Sequence, residues 1–238
     1  MKILAVDSSA NVASAAITED DKLICEFTLN HKKTHSEKLM PMIDELFHSA
    51  QLTPGDIDLF AAANGPGSFT GLRIGVATVK GLAHAVQKPV AGVSTLLAMA
   101  YNLPFCGALV APIMDARRAQ VYNGIYRWRS GRFEAVAAPR AIAMRDCLAD
   151  LRELGEPVVF LGDGVPVHRE QIQAQLGGQA MFAPSSCNRQ RAASVALVAA
   201  QMYQDGLCQN YYTLAPVYLR KPQAEREWEE KENVSNRQ

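Results

Sequence analysis

The order of elements along this chain is given twice. Lys2 to Val6 is a short run rich in branched apolar residues and reads as a buried strand. Asp7-Ser8-Ser9-Ala10-Asn11 is turn material, and Val12 to Thr18 and Lys22 to Leu29 follow as two more strands. A helix over about Ser36 to Gln51 puts Leu39, Ile43, Leu46 and Phe47 on one side, and Thr34 with Glu37 has capping-box spacing. Pro41 is expected to kink this helix or to confine regular geometry to the part after it. Next come a strand over Asp58 to Ala63, a tight turn Asn64-Gly65-Pro66-Gly67, a long helix to Val86, a strand from Lys88 to Val93 and a helix from Ser94 to Tyr101. Near Asn102-Leu103-Pro104 the order begins again. Strands at Gly107 to Met114, Gln120 to Trp128 and Arg132 to Val136, the first two joined by the turn Asp115-Ala116-Arg117-Arg118, precede a helix at Met144 to Leu154. The strand Pro157 to Leu161, the turn Gly162-Asp163-Gly164 and helices near Val167 to Leu176 and Arg191 to Tyr203 complete it. Such a repeat of topology confines the chain to two related α/β halves with a cleft between them. The expected division is a first lobe at 1–102, a second at 103–219, and a tail at 220–238 that is dense in charge and expected to be mobile.

The stretch from Ala61 to Val86 carries the densest pattern. Ser68 is positioned to cap the long helix, because its hydroxyl can accept one of the unpaired first-turn N–H groups. Leu72, Val76, Val79, Ala83 and Val86 make an apolar stripe. Gly67, Gly71 and Gly75 follow one another every four residues, joined by Thr78, Gly81 and Ala85. A glycine inside a helix costs about 0.5–1 kcal/mol relative to alanine, so this face implies a close contact. Two contacts fit the spacing equally: the helix lying tightly on its own sheet, or a helix of another chain packing across the groove. A glycine-rich turn before a helix also suits a phosphate.

Bulk properties exclude several classes. The 24 Lys and Arg balance the 24 Asp and Glu, so no global field draws this chain to nucleic acid. Five scattered cysteines without a C-x-x-C fit reduced thiols in a cytosolic protein and give no zinc site. Neither a signal-peptide core nor a run long enough to span a bilayer is present, which reads as a soluble, intracellular protein. His31 and His35 stand four apart, but the helix start at Thr34 falls between them and no third ligand is near, so they read as a surface pair. Gly67-Ser68-Phe69 lacks the G-x-S-x-G nucleophile elbow, which argues against a serine hydrolase. No cofactor is expected.

The duplicated layout resembles the actin-like ATPase superfamily, in which two Asp-containing turns face each other across the cleft and hold phosphates and Mg²⁺. Turns of that kind need backbone N–H groups to approach the phosphates closely. Here Asp7, Ser8 and Ser9 keep the acid and the hydroxyls but no glycine, while Asp115-Ala116-Arg117-Arg118 places two long side chains where close approach is required. The pair reads as a half-eroded phosphate site, with Asp7-Ser8-Ser9 its remaining, weakened cofactor-binding turn.

The motifs Asp7-Ser8-Ser9, Thr34-His35-Ser36-Glu37, Gly65 to Gly75 (GPGSFTGLRIG) and Pro216-Val217-Tyr218-Leu219-Arg220 together resemble the bacterial TsaB family, formerly YeaZ, from Met1 to about Arg220. The resemblance implies a non-catalytic dimerisation subunit of the machinery that makes threonylcarbamoyladenosine beside the anticodon of tRNAs reading ANN codons. It implies pairing with the catalytic paralogue TsaD, recruitment of the ATPase TsaE, contact with tRNA through the complex, and a homodimer when the partner is absent. In the paralogue a Val-Asn-His-x-x-x-His stretch binds metal. The corresponding stretch here is Val93 to Met99, with Thr95 and Met99 where the histidines would stand, and neither suits a hard catalytic metal ion. The pairing surface is expected on the Ser36–Gln51 and Ser68–Val86 helices, with Leu39, Ile43, Gly71, Leu72, Gly75 and Val79 as its residues. An arginine at Gly75 is expected to abolish pairing and leave a soluble monomer. The competing readings are an active small-molecule kinase or ATPase of the same fold, disfavoured by the bulky second turn, and a peptidase, disfavoured by the missing histidines.

Overall fold

The computed structural model describes residues 1–30 and 35–220, the side chain of His35 excepted. The first half runs β1 (Lys2–Asp7), β2 (Val12–Glu19), β3 (Lys22–Asn30), α1 (His35–Ala50), β4 (Leu59–Gly65), α2 (Phe69–Val86), β5 (Val90–Ser94) and α3 (Thr95–Ala100). The second runs β6 (Leu109–Asp115), β7 (Gln120–Arg129), β8 (Arg132–Ala143), α4 (Met144–Leu154), β9 (Val158–Leu161), α5 (Gly164–Leu176), β10 (Ala180–Phe182) and α6 (Ala192–Gln204). The first sheet has the order β3-β2-β1-β4-β5 and the second β8-β7-β6-β9-β10, so every strand has its counterpart. In each sheet the first three strands form an antiparallel meander and the other two add in parallel. This is a duplicated α/β fold with two mixed sheets, as the repeat in the sequence predicts.

Alternation along the strands sorts the core into layers. Ile3, Ala5, Ala61 and Val93 face a central layer between the sheets, and Leu4, Val6, Phe60 and Ala62 face α1 and α2 on the outside. On the second sheet, Leu109, Ala111 and Ile113 face α4 and α5. The central layer is made by α3 and α6, which have exchanged places. The helix α3 packs on β6 and β7 of the second sheet, while α6 packs on β1, β2 and β5 of the first. First-lobe side chains cap α6: Ala192 N donates to Ser14 Oγ at 2.9 Å and Ala193 N to Glu26 Oε1 at 3.0 Å. Glu26 Oε2 also accepts from Arg191 Nε at 3.1 Å, so one carboxylate fixes both the helix end and its preceding cation.

Several boundaries differ from the sequence reading. The helix α1 runs continuously through Pro41, so regular geometry is not confined to the part after it. Strand β8 extends to Ala143 instead of stopping near Val136, because it is an edge strand whose exposed positions need no apolar pattern. The helix α5 begins at Gly164, three residues ahead of Val167, with Pro166 in its first turn where a missing N–H costs nothing. Strand β10 and the 3-10 turns at Pro54–Asp56 and Gly177–Gln179 were not anticipated. The capping box at Thr34, the His31–His35 pair and the tail beyond Arg220 lie outside the described residues. After α6 the chain does not stay with the second sheet. Gln209 bridges Val90, and Val217 N donates to Asn64 O at 2.7 Å, so 209–220 runs as a strap over the first lobe. Among the described residues, no helix is long and apolar enough to cross a membrane.

Candidate functional site

The site is built where β1 delivers its last residue to the start of α2. Asp7 is 1% exposed, and its Oδ1 accepts from Ser9 N at 2.9 Å and Ser9 Oγ at 2.6 Å. Its Oδ2 is buried with no hydrogen-bond partner among the described residues. Burial pushes the carboxyl up to about 6, against the two bonds from Ser9 that favour the charged form. Ser8 Oγ donates to Gly71 O at 2.8 Å, and Ser68 N donates to Ser9 O at 2.6 Å. Ser68 caps α2 as its position in the sequence predicts, its Oγ accepting from Gly71 N at 3.3 Å.

The glycines exist for this turn. A Cβ at Gly67 would meet Ser9 O at 2.3 Å, one at Gly71 would meet Ser8 O at 2.0 Å, and one at Gly75 would meet Ser8 Oγ at 2.5 Å. Of the two contacts the spacing allowed, the helix lying on its own lobe is the one observed for these three positions. The expectation for an arginine at Gly75 is therefore corrected. The side chain would be driven into the Ser8 turn, so its effect would report on folding and not on pairing. Gly81 is different, with nothing within 4 Å of its Cβ position.

The second lobe makes the corresponding turn differently. Asp115 Oδ1 accepts from Arg117 N at 2.8 Å, two residues on, as Asp7 does from Ser9 N. Beyond it Arg117, Arg118 and Ala119 all take left-handed backbone, with φ of 62°, 54° and 55°. The turn is closed by Ala116 N donating to Gln120 O at 3.0 Å and Gln120 N to Arg117 O at 3.1 Å. Its N–H groups at 116, 117 and 120 thus bond within the turn. Asp163, at the start of α5, accepts from Asp115 N at 3.2 Å, and burial raises its carboxyl above the usual range.

Between the two turns lies a cleft of about 550 Å³. Ser9, Ser68 and Thr70 line one wall, Asp115, Arg117 and Asp163 the other, and Arg220 reaches it from the strap. Of the three residues expected to hold a phosphate, Ser9 lines the cleft while Asp7 and Ser8 sit behind it, buried. Sequence reasoning passed over Asp163 as a mere turn residue. The signal for it was its place in the repeat, at the second-lobe equivalent of the turn before α2. The strap has neither helical nor strand periodicity, and the signal it carried was the motif Pro216 to Arg220.

The six residues expected at a pairing surface are all buried inside the chain. Leu39, Ile43 and Val79 are 0–1% exposed in the layer between the helices and the first sheet, Leu72 on α2 is fully buried, and Gly71 and Gly75 meet Ser8. They hold α1 and α2 in place. What these helices offer outward is Met40, 47% exposed, with Asp44 and His48 on α1 and Ala77, Gly81 and Ala85 on α2. A groove of about 630 Å³ runs between them, floored by Phe47, Leu52 and Leu82. Thr95 and Met99 lie in α3 at 0% and 1% exposure, with Met99 Sδ accepting from Gln190 Nε2 at 3.5 Å.

Comparison with known proteins accounts for this arrangement. A family model described as "TsaD: tRNA N6-adenosine threonylcarbamoyltransferase" matches residues 22–228. The tRNA threonylcarbamoyladenosine biosynthesis protein TsaB of Bacillus subtilis is 34% identical over 228 residues, covering 96% of this chain and 98% of that one. TsaB of Escherichia coli is 30% identical over 232 residues, covering 92% and 95%. The solved structure of YeaZ from Pseudomonas aeruginosa superposes with a TM-score of 0.76 at 25% identity, covering 92% of this chain and 99% of that one. The chain belongs to the family that the matching model describes and, by its full-length relatives, to the TsaB proteins of tRNA threonylcarbamoyladenosine biosynthesis.

Proposed function

We propose that this chain is a non-catalytic scaffold in threonylcarbamoyl transfer to the N6 of the adenosine beside the anticodon. It pairs with a TsaD-type catalytic subunit through the outer faces of α1 and α2, recruits a TsaE-type ATPase, meets tRNA through the complex, and self-associates when the partner is absent. The observation that carries the reading is the state of the two Asp turns. Each acid bonds a backbone N–H two residues on in its own turn, and the second turn adds three left-handed residues, with the N–H groups of Ala116 and Gln120 also bonded inside it. Backbone donors committed in this way are not free to cradle a transferring phosphoryl group. The outward faces supply the other half of the argument. Small residues at Ala77, Gly81 and Ala85 let a partner helix approach α2 closely, and Met40 flanks them as an adaptable apolar contact.

The test mixes the chain with its cognate TsaD-type subunit and follows mass by light scattering and transfer to tRNA by product analysis. A heterodimer, with transfer only in the full set, is the expected result. Gly81→Arg should remove pairing and transfer without lowering the thermal stability of the isolated chain, since the Cβ position opens on free space. Transfer or ATP turnover by this chain alone, or undiminished pairing of the Gly81→Arg variant, would sink the proposal.

A further inference from the structure

The strap after α6 is fastened far more heavily than a trailing segment needs to be. Lys80 Nζ donates to two of its carbonyls, Tyr212 O at 3.1 Å and Leu214 O at 3.0 Å. Asn64 holds it on both sides, its carbonyl accepting from Val217 N at 2.7 Å and its Nδ2 donating to Ala215 O at 3.3 Å. Gly65, at φ 135°, has no room for a Cβ because Val217 O would lie 2.2 Å away. Tyr218 stacks on Phe69 with ring centroids 4.5 Å apart, and its hydroxyl accepts from Arg73 Nε at 3.1 Å while the Arg73 guanidinium covers the other ring at 3.9 Å. All of these anchors belong to the first lobe. Two residues later the strap crosses the cleft, and Arg220 Nη1 donates to Ala116 O at 2.7 Å in the second lobe.

The residue it reaches is the one that opens the strained turn. Non-glycine residues in left-handed backbone cost on the order of 1–3 kcal/mol each and persist only where surrounding bonds over-determine them. Three in succession, Arg117 to Ala119, are held by the turn's internal bonds and by Arg220 from outside. We propose that residues 209–220 form a latch across the cleft, with Arg220 as the positioning residue that keeps the 115–120 turn in its strained shape. Anchoring on α2 and the state of the second cleft wall are thereby coupled through one segment. The inference stands apart from the pairing reading, since it concerns contacts within one chain.

Hydrogen exchange of the full chain tests it, in wild type and in Arg220→Ala, Arg220→Lys and Tyr218→Ala. The reporting amides are Ala116, Arg117 and Gln120, which the turn protects; Val76 and Val79 in α2 serve as controls. Loss of a charged hydrogen bond should speed the three turn amides roughly tenfold in Arg220→Ala and leave the controls unchanged. Arg220→Lys keeps a donor and should retain most of the protection. Tyr218→Ala, whose ring packs on Phe69 in the first lobe, should speed the same turn amides across the cleft. Unchanged turn amides in Arg220→Ala, equal loss in the Lys and Ala variants, or a Tyr218→Ala effect confined to the first lobe would each overturn the latch. A speed-up spread over the controls as well would reduce Arg220 to a general stabiliser.

Discussion

Two glycines of the same helix should respond in opposite directions to the same substitution. At Gly71 an alanine Cβ would sit 2.0 Å from Ser8 O and 3.2 Å from Ser8 C, so the obstacle is backbone and cannot rotate away. Overpacking of this kind costs about 1–3 kcal/mol, and a backbone neighbour puts it at the upper end. The shift needed to relieve it breaks the buried bond from Ser8 Oγ to Gly71 O, a further loss of about 1 kcal/mol. Removing a helical glycine returns about 1 kcal/mol. Gly71→Ala should therefore destabilise the chain by about 3 kcal/mol, on the order of 6–12 °C in Tm for a chain of this size. Gly81→Ala meets nothing within 4 Å and keeps only the favourable part, a gain of about 0.5–1 kcal/mol. Thermal unfolding followed by circular dichroism, at one fixed concentration, reads both. A Gly71→Ala protein as stable as wild type would refute the close-approach argument, and so would a Gly81→Ala monomer that melts several degrees early.

Asp7 gives a pH dependence of definite sign. Its folded carboxyl is raised from 3.8 to about 6, so the folded state holds the proton more tightly than the unfolded one, and stability falls as pH rises between those values. Asp7→Asn should flatten that fall and be more stable near pH 7.5 by up to about 3 kcal/mol; urea titrations from pH 4.5 to 7.5 with the same slope in both proteins would count against the burial argument. Residues 1–102 expressed alone should show no cooperative unfolding transition, because the inner face of the first sheet is covered by α6 from the far end of the chain; a sharp calorimetric transition from that fragment would show the first lobe to be self-sufficient.

Where a local rule governed the outcome, the sequence was legible. Ser68 and Ser94 are both observed N-caps, accepting from the N–H three residues on, because capping depends only on the neighbouring turn. The duplicated order of elements was legible too, and connection rules leave few ways to pair such elements. The facing of α2 was partly legible. Gly67, Gly71 and Gly75 recur near one full turn and share a face, but Gly81, grouped with them on the sequence, lies six positions on, about 240° round the helix, on another face. What no periodicity could reveal was which of those faces met the chain itself, because a Ser8 carbonyl and a partner helix both call for glycine at the same spacing. The start of α5 was missed: Pro166, whose ring is excluded from a helix interior, is tolerated in a first turn, and α5 begins at Gly164, ahead of the expected Val167.

The exchange of α3 and α6 ties the two ends of the chain to one surface. The sheet that carries α1 and α2 on its outside is closed on its inside by α6, whose first-turn N–H groups bond Ser14 and Glu26. Residues beyond α6 then return over the edge of the same sheet and bind the flank of α2 at Arg73 and Lys80. So α2 has three occupied sides in sequence order: its glycines on the Ser8 turn, its apolar stripe on the sheet, and its cations on the strap. Among the described residues, the side bearing Ala77, Gly81 and Ala85 remains open, next to a flank fastened by contacts made more than a hundred residues later in the chain. Because those contacts are long-range in sequence, the face is complete only once the whole chain has folded.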